Sequence, residues 1–328
     1  MATISDVAKK AGLSRATVSR VINEHPYVTE KKKQLVKQAM RELQYVPNSS
    51  AQKLRTQRTE TIAVYVPRLT NPFFSHVVEK MEEVAAKQGF QLLLCQTRYN
   101  KQQELNYLRI LRGKQIDGLI LTSMENPWSE VEPYLAQGPI VLCNEYDYDA
   151  TVPMVHLDQI KGGYIGTKHL IEKGHRSIVY CSSEPGKSRV STDRQRGYIQ
   201  AMNEAGIAIR PEWICTDQFT IEGGKRLFYQ INQQTDRPTA VFTGSDEVAA
   251  GLIHEARKNG LRVPEDLAVI GFDDQPLAEL IGLTTVKQPS QQLGETAMHL
   301  MFDMIRQKNR KSAKRIELEF ELIIRRST

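Results

Sequence analysis

Ser14, Arg15, Ala16, Thr17, Ser19, Arg20 and Asn23 crowd into ten residues, and no acid stands among them. Hydroxyls, an amide and two guanidinium groups on one short segment suit contact with phosphates and with the edges of bases in a major groove. A second set is scattered along the chain: Asn71, Phe73 and Phe74, Asn144 and Glu145, Ser191 to Arg194, Phe219, Ser245 and Asp246, and Asp273 and Asp274. Aromatic faces, amides, one Arg and several carboxylates suit a small polar ligand such as a sugar, provided the fold brings them together. Taken singly, each has an ordinary alternative: Asp246 or Asp273 as a helix cap, Phe73 or Phe74 in a core, Arg194 in a surface ion pair.

Other chemistry is poorly represented. The chain carries no G-x-S-x-G, H-E-x-x-H or G-x-x-x-x-G-K-[ST], and GYIG at 163–166 lacks the G-x-G-x-x-G spacing. The seven histidines share no pattern with Cys or Asp, and the four cysteines form no C-x-x-C pair, so no metal, disulfide framework or cofactor is expected. A catalytic role is therefore not expected. MATISDVAKK has no apolar core of a secretory signal and no run of 18 apolar residues occurs, so a cytoplasmic protein without a membrane partner is expected. The same features oppose an exported solute-binding protein.

The first set needs a helical scaffold. Val7, Ala8 and Ala11 share one face of a helix over 5–12; Gly12 permits a tight turn; Ser14 can cap a second helix whose apolar face is Val18, Val21 and Ile22. Two short helices joined by about three residues fit a helix-turn-helix. Thr29 can cap a third helix, Glu30 to Gln44, with Leu35, Val36, Ala39, Met40 and Leu43 along one stripe. After Pro47, Asn48 or Ser49 could cap a last short helix ending near Arg55, too short to be stable alone in water. Leu54, between Lys53 and Arg55, is either a wedge for a minor-groove step or a linker residue packing on the body.

Charge divides the chain in the same place. Residues 1–60 hold twelve Lys/Arg against five Asp/Glu, a net +7, while the rest of the chain holds 32 against 33, so the basic excess of a 328-residue chain with net charge +6 is confined to its first sixth. A basic small domain ahead of a near-neutral large one fits a nucleic-acid binder with a separate sensing body. In that body short apolar runs (61–66, 90–96, 117–123, 139–144, 154–158, 177–182, 212–216, 239–244, 267–273, 284–288) alternate with helical patterns, the last over 290–307. Such alternation predicts an α/β body of two doubly wound parallel sheets, with ligand at the carboxyl ends of strands between two lobes.

TISDVAKKAGLSRATVSRVIN followed by YVPNSSAQKLR resembles the DNA-binding headpiece and hinge of the lactose/galactose-repressor (LacI/GalR) family. NPFF, DGLI, GGY-x-x-x-KHL, GHRSI, DRQRGY, GSDEVAAG, VPEDLAVIGFDD, LTTVKQP and IIRRST extend the resemblance over the family's periplasmic-binding-protein-like effector domain. The resemblance implies a headpiece at 1–47, a hinge helix and linker at 48–60, and an effector-binding and dimerisation domain at 61–328. Lobe one would comprise 61–160 with 289–320, and lobe two 161–288. It implies that Arg15, Ala16 and Arg20 read bases, that Ser14, Thr17, Ser19 and Asn23 hold phosphates or the headpiece fold, and that Leu54, beside Ala51, is the hinge leucine. Thr3 and Arg55 complete the expected DNA-binding set. Arg194 and Asp273 would bind effector, Phe219 would stack on it, and Phe74 and Asp246, with Phe73 and Asn144, would line its cleft. The implied function is that of a repressor, bound as a homodimer to a pseudo-palindromic operator and controlled by a sugar-like effector. No leucine-heptad tail follows IIRRST, which favours a dimer over a tetramer. In the family's catabolite-control branch a Tyr and an Arg on the last long helix receive phosphorylated HPr; Gln291 and His299 at those positions argue against that partner here.

Overall fold

A computed structural model describes residues 2–23, 25–45, 58–181, 188–216, 220–234, 236–306 and 313–328. Ala51, Leu54, Arg55 and Phe219 lie outside the described residues. The chain divides into two units, Met1–Arg58 and Thr59–Thr328.

The first unit is helical: α1 (Ile4–Ala11), α2 (Arg15–Ile22) and α3 (Glu30–Glu42). Thr3 and Asp6 form a reciprocal cap on α1, the Thr3 N–H donating to Asp6 Oδ2 at 2.8 Å and the Asp6 N–H to Thr3 Oγ1 at 3.3 Å. Gly12 ends the helix at φ 65°, in the left-handed region that costs a glycine least. Ser14 caps α2 through the Thr17 N–H at 3.2 Å. Val7, Ala8, Val18, Val21, Val28, Val36 and Ala39 make the core. Two expectations need correction. Thr29 stands at the N-cap of α3 without a side-chain cap bond, and Leu35 is 41% exposed. The buried stripe of α3 is centred on Val36 and Ala39. Leu35 is turned about 100° from Val36, beyond what two eight-residue helices can cover.

The second unit holds two six-stranded sheets. The first has the order β11-β5-β4-β3-β1-β2, all parallel: β1 (Thr61–Val66), β2 (Gln91–Gln96), β3 (Gly118–Leu121), β4 (Ile140–Cys143), β5 (Met154–Leu157) and β11 (Arg315–Leu318). The second runs β12-β10-β9-β8-β6-β7: β6 (Ile178–Cys181), β7 (Ile214–Cys215), β8 (Ala240–Phe242), β9 (Ala268–Asp273), β10 (Thr284–Lys287) and β12 (Glu321–Ile323), with only β12 antiparallel. Between them come α4 (Pro72–Lys87), α5 (Lys101–Arg112), α6 (Trp128–Val131), α7 (Gln159–Glu172), α8 (Arg189–Glu204), α9 (Ile221–Asn232), α10 (Asp246–Lys258), α11 (Pro276–Ile281) and α12 (Ser290–Arg306). Each sheet has apolar clusters on both faces, as parallel strands covered by helices require. After lobe two, α12 returns to pack on α4 and the first sheet.

Four local departures from the sequence reading have simple causes. The helix expected over 129–136 is one turn of α-helix followed by a 3-10 turn, Glu132–Ala136, because Pro133 lacks an N–H. The segment after β9 contains α11, too short for periodicity to reveal. β11 alternates polar and apolar residues and β12 is only three residues long, so neither reads as an apolar run. β2 is an edge strand, with Leu93 and Leu94 exposed at 38% and 42%. Among the described residues, no helix is long and apolar enough to cross a membrane and no group of His, Cys, Asp and Glu is arranged to hold a metal.

Candidate functional site

On the headpiece, α2 buries Val18 and Val21 and turns Arg15, Ala16 and Arg20 to solvent. Among the described residues neither arginine has an ion-pair partner. Thr17 and Ser19 are half-buried; the Ser14 and Thr17 hydroxyls are 3.0 Å apart. Asn23 turns back on its own helix, its side-chain amide donating to the Ser19 carbonyl and, at 3.3 Å, to Ser19 Oγ. Thr3 is spent in the cap of α1. The surface left for a partner is two cations flanking a methyl group, with hydroxyls at the start of the helix, where the backbone N–H groups favour an anion.

In the second unit, the carboxyl ends of the strands face a cavity of about 240 Å³ between the two sheets. Its lining brings together five of the seven expected ligand residues: Phe73, Phe74, Asn144, Arg194 and Asp273. The Asn71 side chain caps α4 through the Phe73 N–H at 2.9 Å and so sets the two phenyl rings edge-on at 5.1 Å. Asn144 follows β4 at φ 65°, its N–H held by Val155 O at 2.8 Å.

Arg194 is positioned by glycines. A Cβ on Gly163 would lie 1.9 Å from Arg194 O, and one on Gly197 would lie 2.0 Å from Ile160 O, so α7 and α8 meet at a distance only glycine allows. The guanidinium then donates to Gln159 Oε1 from Nε at 3.2 Å and from Nη2 at 3.0 Å, and to Gly244 O at 3.2 Å. Its Cζ sits 3.3 Å above the Phe272 ring centre. Burial pulls its pKa down, opposed by nearby groups that include Asp273. Asp273, at φ 104°, accepts from Gln288 Nε2 at 2.6 Å and Gln275 Nε2 at 3.1 Å. Burial pushes its carboxyl up to about 6 against the pull of Arg194.

Asp246 does not line the cavity, which corrects the expectation for it. It is fully buried behind the wall, accepting the Gln275 N–H and the Thr285 hydroxyl, each at 2.6 Å. Burial, and then Asp273, raise its pKa well above the usual carboxylate range. Its role is to anchor the segment that carries Asp273. Contacts also cross from one lobe to the other: Arg68 pairs with Glu247, the Tyr146 hydroxyl donates to Asp193, Arg189 lies 3.3 Å from Asp147, and Gln275 Nε2 donates to Asn71 at 3.3 Å.

The architecture and the two surfaces agree with comparisons against known proteins. A model described as "Bacterial regulatory proteins, lacI family" matches residues 3–48, and one described as "Periplasmic binding proteins and sugar binding domain of LacI family" matches residues 59–326. The chain belongs to the LacI family. It is 41% identical to the NTD biosynthesis operon regulator NtdR of Bacillus subtilis, over 100% of both chains. It is 35% identical to the transcriptional repressor CytR of Escherichia coli, over 100% of this chain and 96% of that one. The solved complex of the transcriptional regulator CelR with cellobiose superposes with a TM-score of 0.73 at 30% identity, over 100% of both chains. The lac repressor dimer on its operator shares the fold, with a TM-score of 0.86 at 24% identity over 99% of this chain and 98% of that one. This LacI-family chain is a DNA-binding transcriptional regulator whose second unit is an effector-binding domain of the sugar-binding type.

Several residues of this LacI-family cleft escaped the sequence reading: Tyr99, Ser123, Glu125, Tyr180, Ser188 and Gln288 all line it. Tyr99, Ser123, Glu125 and Gln288 follow strand ends whose loops the strand-end argument did not search, and Tyr180 sits inside an apolar strand that reads as core. Glu145, which was noticed, lies in the lining with its carboxyl pushed up to about 8, chiefly by burial.

Proposed function

We propose that this regulator represses transcription by gripping a pseudo-palindromic operator as a homodimer, and that a small sugar-like effector in the interlobe cleft sets its affinity. The observation that carries the reading is the solvent face of α2, where Arg15, Ala16 and Arg20 stand exposed on a helix that holds no acid. Arg15 and Arg20 then read base edges in the major groove, with phosphates taken at Ser14 and Thr17. One such helix covers half a site, so two copies are needed. The bare edge of β2, with Leu93 and Leu94 exposed, supports pairing of two bodies, because an apolar sheet edge left in water invites association. Leu54 from each copy serves as the minor-groove wedge of the hinge. In the cleft, Arg194 and Asp273 orient hydroxyl groups and the Phe73 and Phe74 rings pack on the effector. The lobe-bridging contacts, such as Arg68 with Glu247, link occupancy of the cleft to the relation between the lobes. That coupling acts equally in both directions, so operator changes effector affinity by the factor that effector changes operator affinity. Phosphorylated HPr has no place in this reading, since α12 offers Gln291 and His299.

The test is selection of a tight duplex from a random pool, followed by titration of Arg20→Ala. The variant should bind its selected site more weakly by about 1–3 kcal/mol and lose preference at one base pair in each half-site. An equal loss on unselected duplex would make Arg20 a phosphate contact and remove its reading role.

A further inference from the structure

Among the described residues, the longest unbroken stretch of the cleft lining is 122–125, just beyond β3. It is neither helix nor strand, so its backbone N–H groups must find partners outside any ladder. At its start the Thr122 N–H and hydroxyl both donate to Tyr65 O on β1, at 3.2 and 2.6 Å. At its far end one side chain from another element takes over. Glu104, on the first turn of α5, accepts the Glu125 N–H on Oε2 at 2.7 Å. Its Oε1 accepts the Asn126 N–H at 3.4 Å and the Asn126 side-chain amide at 3.1 Å. The same amide also donates to Lys101 O at 2.9 Å, at the start of α5.

Glu104 is fully buried, yet neither it nor Asn126 lines the cleft. Burial pushes its carboxyl up, and the N–H groups of Glu125 and Asn126 and the Lys101 cation pull it back. Farther along α5, Leu108 and Leu111 enter the apolar core. An apolar side chain at 104 would spare the desolvation, but it would leave three N–H groups of the wall without this acceptor. The carboxyl is therefore explained by the loop it holds and not by the core it sits in. Between the two pinned ends lies Ser123, 9% exposed, whose Oγ has no hydrogen-bond partner among the described residues. A buried hydroxyl in the wall of a cleft calls for a partner that a ligand can supply.

Resting on the reading of this cleft as the effector site, we propose that Glu104 is a positioning residue for effector recognition. From behind the wall it fixes the backbone of 122–125 and so presents Ser123 to the ligand, without touching the ligand itself. A carboxylate suits this task because it is acceptor-only and takes all three N–H groups at once.

Isothermal titration of the full chain with D-ribose, D-glucose, cellobiose and cytidine selects the tightest binder as probe. Glu104→Gln keeps the volume but turns an NH2 toward the donors of the wall. It should weaken the probe about tenfold or more and speed amide exchange at Glu125 and Asn126 by a similar factor. Asn126→Ala keeps the carboxylate and should act in the same direction by a smaller factor, so misfolding of one variant leaves the other to decide. In the Glu104→Gln background, Ser123→Ala should cost less probe affinity than it does alone, because the two act through one loop. Leu108→Ala removes core packing from the same helix, which lowers stability, and should leave probe affinity within about threefold. Glu104→Gln binding the probe within about twofold of the unaltered chain, or Leu108→Ala weakening it as much as Glu104→Gln does, overturns the positioning role and leaves the cleft as effector site. No binding of any of the four compounds overturns both.

Discussion

The two surfaces of this LacI-family regulator solve opposite problems. The α2 face keeps its cations in water and unpaired among the described residues, and its local hydrogen bonds serve only to hold the helix. The cleft buries its charges and ties each to neighbours before any ligand arrives, Arg194 to Gln159 and Asp273 to Gln275 and Gln288. A polyanion with a dense counterion atmosphere is captured by exposed cations, whereas a small polar molecule is recognised by prepaid desolvation. Binding and stability are therefore separable on the headpiece and entangled in the cleft.

Salt gives the widest expected gap. Operator affinity should fall by about a thousandfold or more between 50 and 200 mM salt, as counterion release demands for several phosphate contacts. Effector affinity over the same range should change by less than about threefold, because the cleft groups are buried. Fluorescence anisotropy and calorimetry on one preparation measure both, and parallel salt slopes would erase the contrast. Next in size is Asp246→Ala. It strips the acceptor from the Gln275 N–H and the Thr285 hydroxyl and frees the Asp273 segment, so the second unit should lose about 3 kcal/mol or more in urea unfolding. Arg15→Ala should alter stability by less than about 0.5 kcal/mol; comparable losses in both variants would show that the headpiece face is structural too. The third contrast is in pH. Glu145 keeps its proton to about 8 when folded, against an ordinary value of 4.5, so folding takes up a proton that the unfolded chain releases. From this group stability is full below about 4.5 and declines by about 1.4 kcal/mol per pH unit until about 8. Asp273 adds its own decline only up to about 6. Glu145→Gln should flatten the pH 6–8 stretch of the unfolding profile, and an unchanged slope would remove Glu145 as its source.

Much of this division was legible before any coordinates. Periodicity marked the three headpiece helices, and Ser14 and Gly12 marked the turn, because caps and left-handed turns are local events written in single residues. The parallel strands showed as apolar runs because both their faces are covered. What stayed hidden depends on distant partners. Nothing near Asp246 says that Thr285 and Gln275 will consume its oxygens, and nothing near Leu93 says that β2 will be an edge. Glycines 163 and 197 were readable as a motif, but the approach of two helices that sets Arg194 in place required both helices to be present. Glu125 and Ser123 were missed for a plainer reason: the loop after β3 drew no attention despite its amide Asn126, and only the neighbouring strand β4 brings Asn144 and Glu145 beside it.

β11 and β12 are separated by two residues, yet one completes the edge of the first sheet and the other the edge of the second. Beyond them, Ser327 bonds to Val269 and Thr284, and Thr328 to His169 and Thr284. During synthesis both sheets must therefore wait, each lacking an edge, for the same late stretch of polypeptide to leave the ribosome. A gene cut near residue 160 would leave the first lobe without α12 and β11, which the second half carries away, so the sensing body is inherited, folded and lost as one piece.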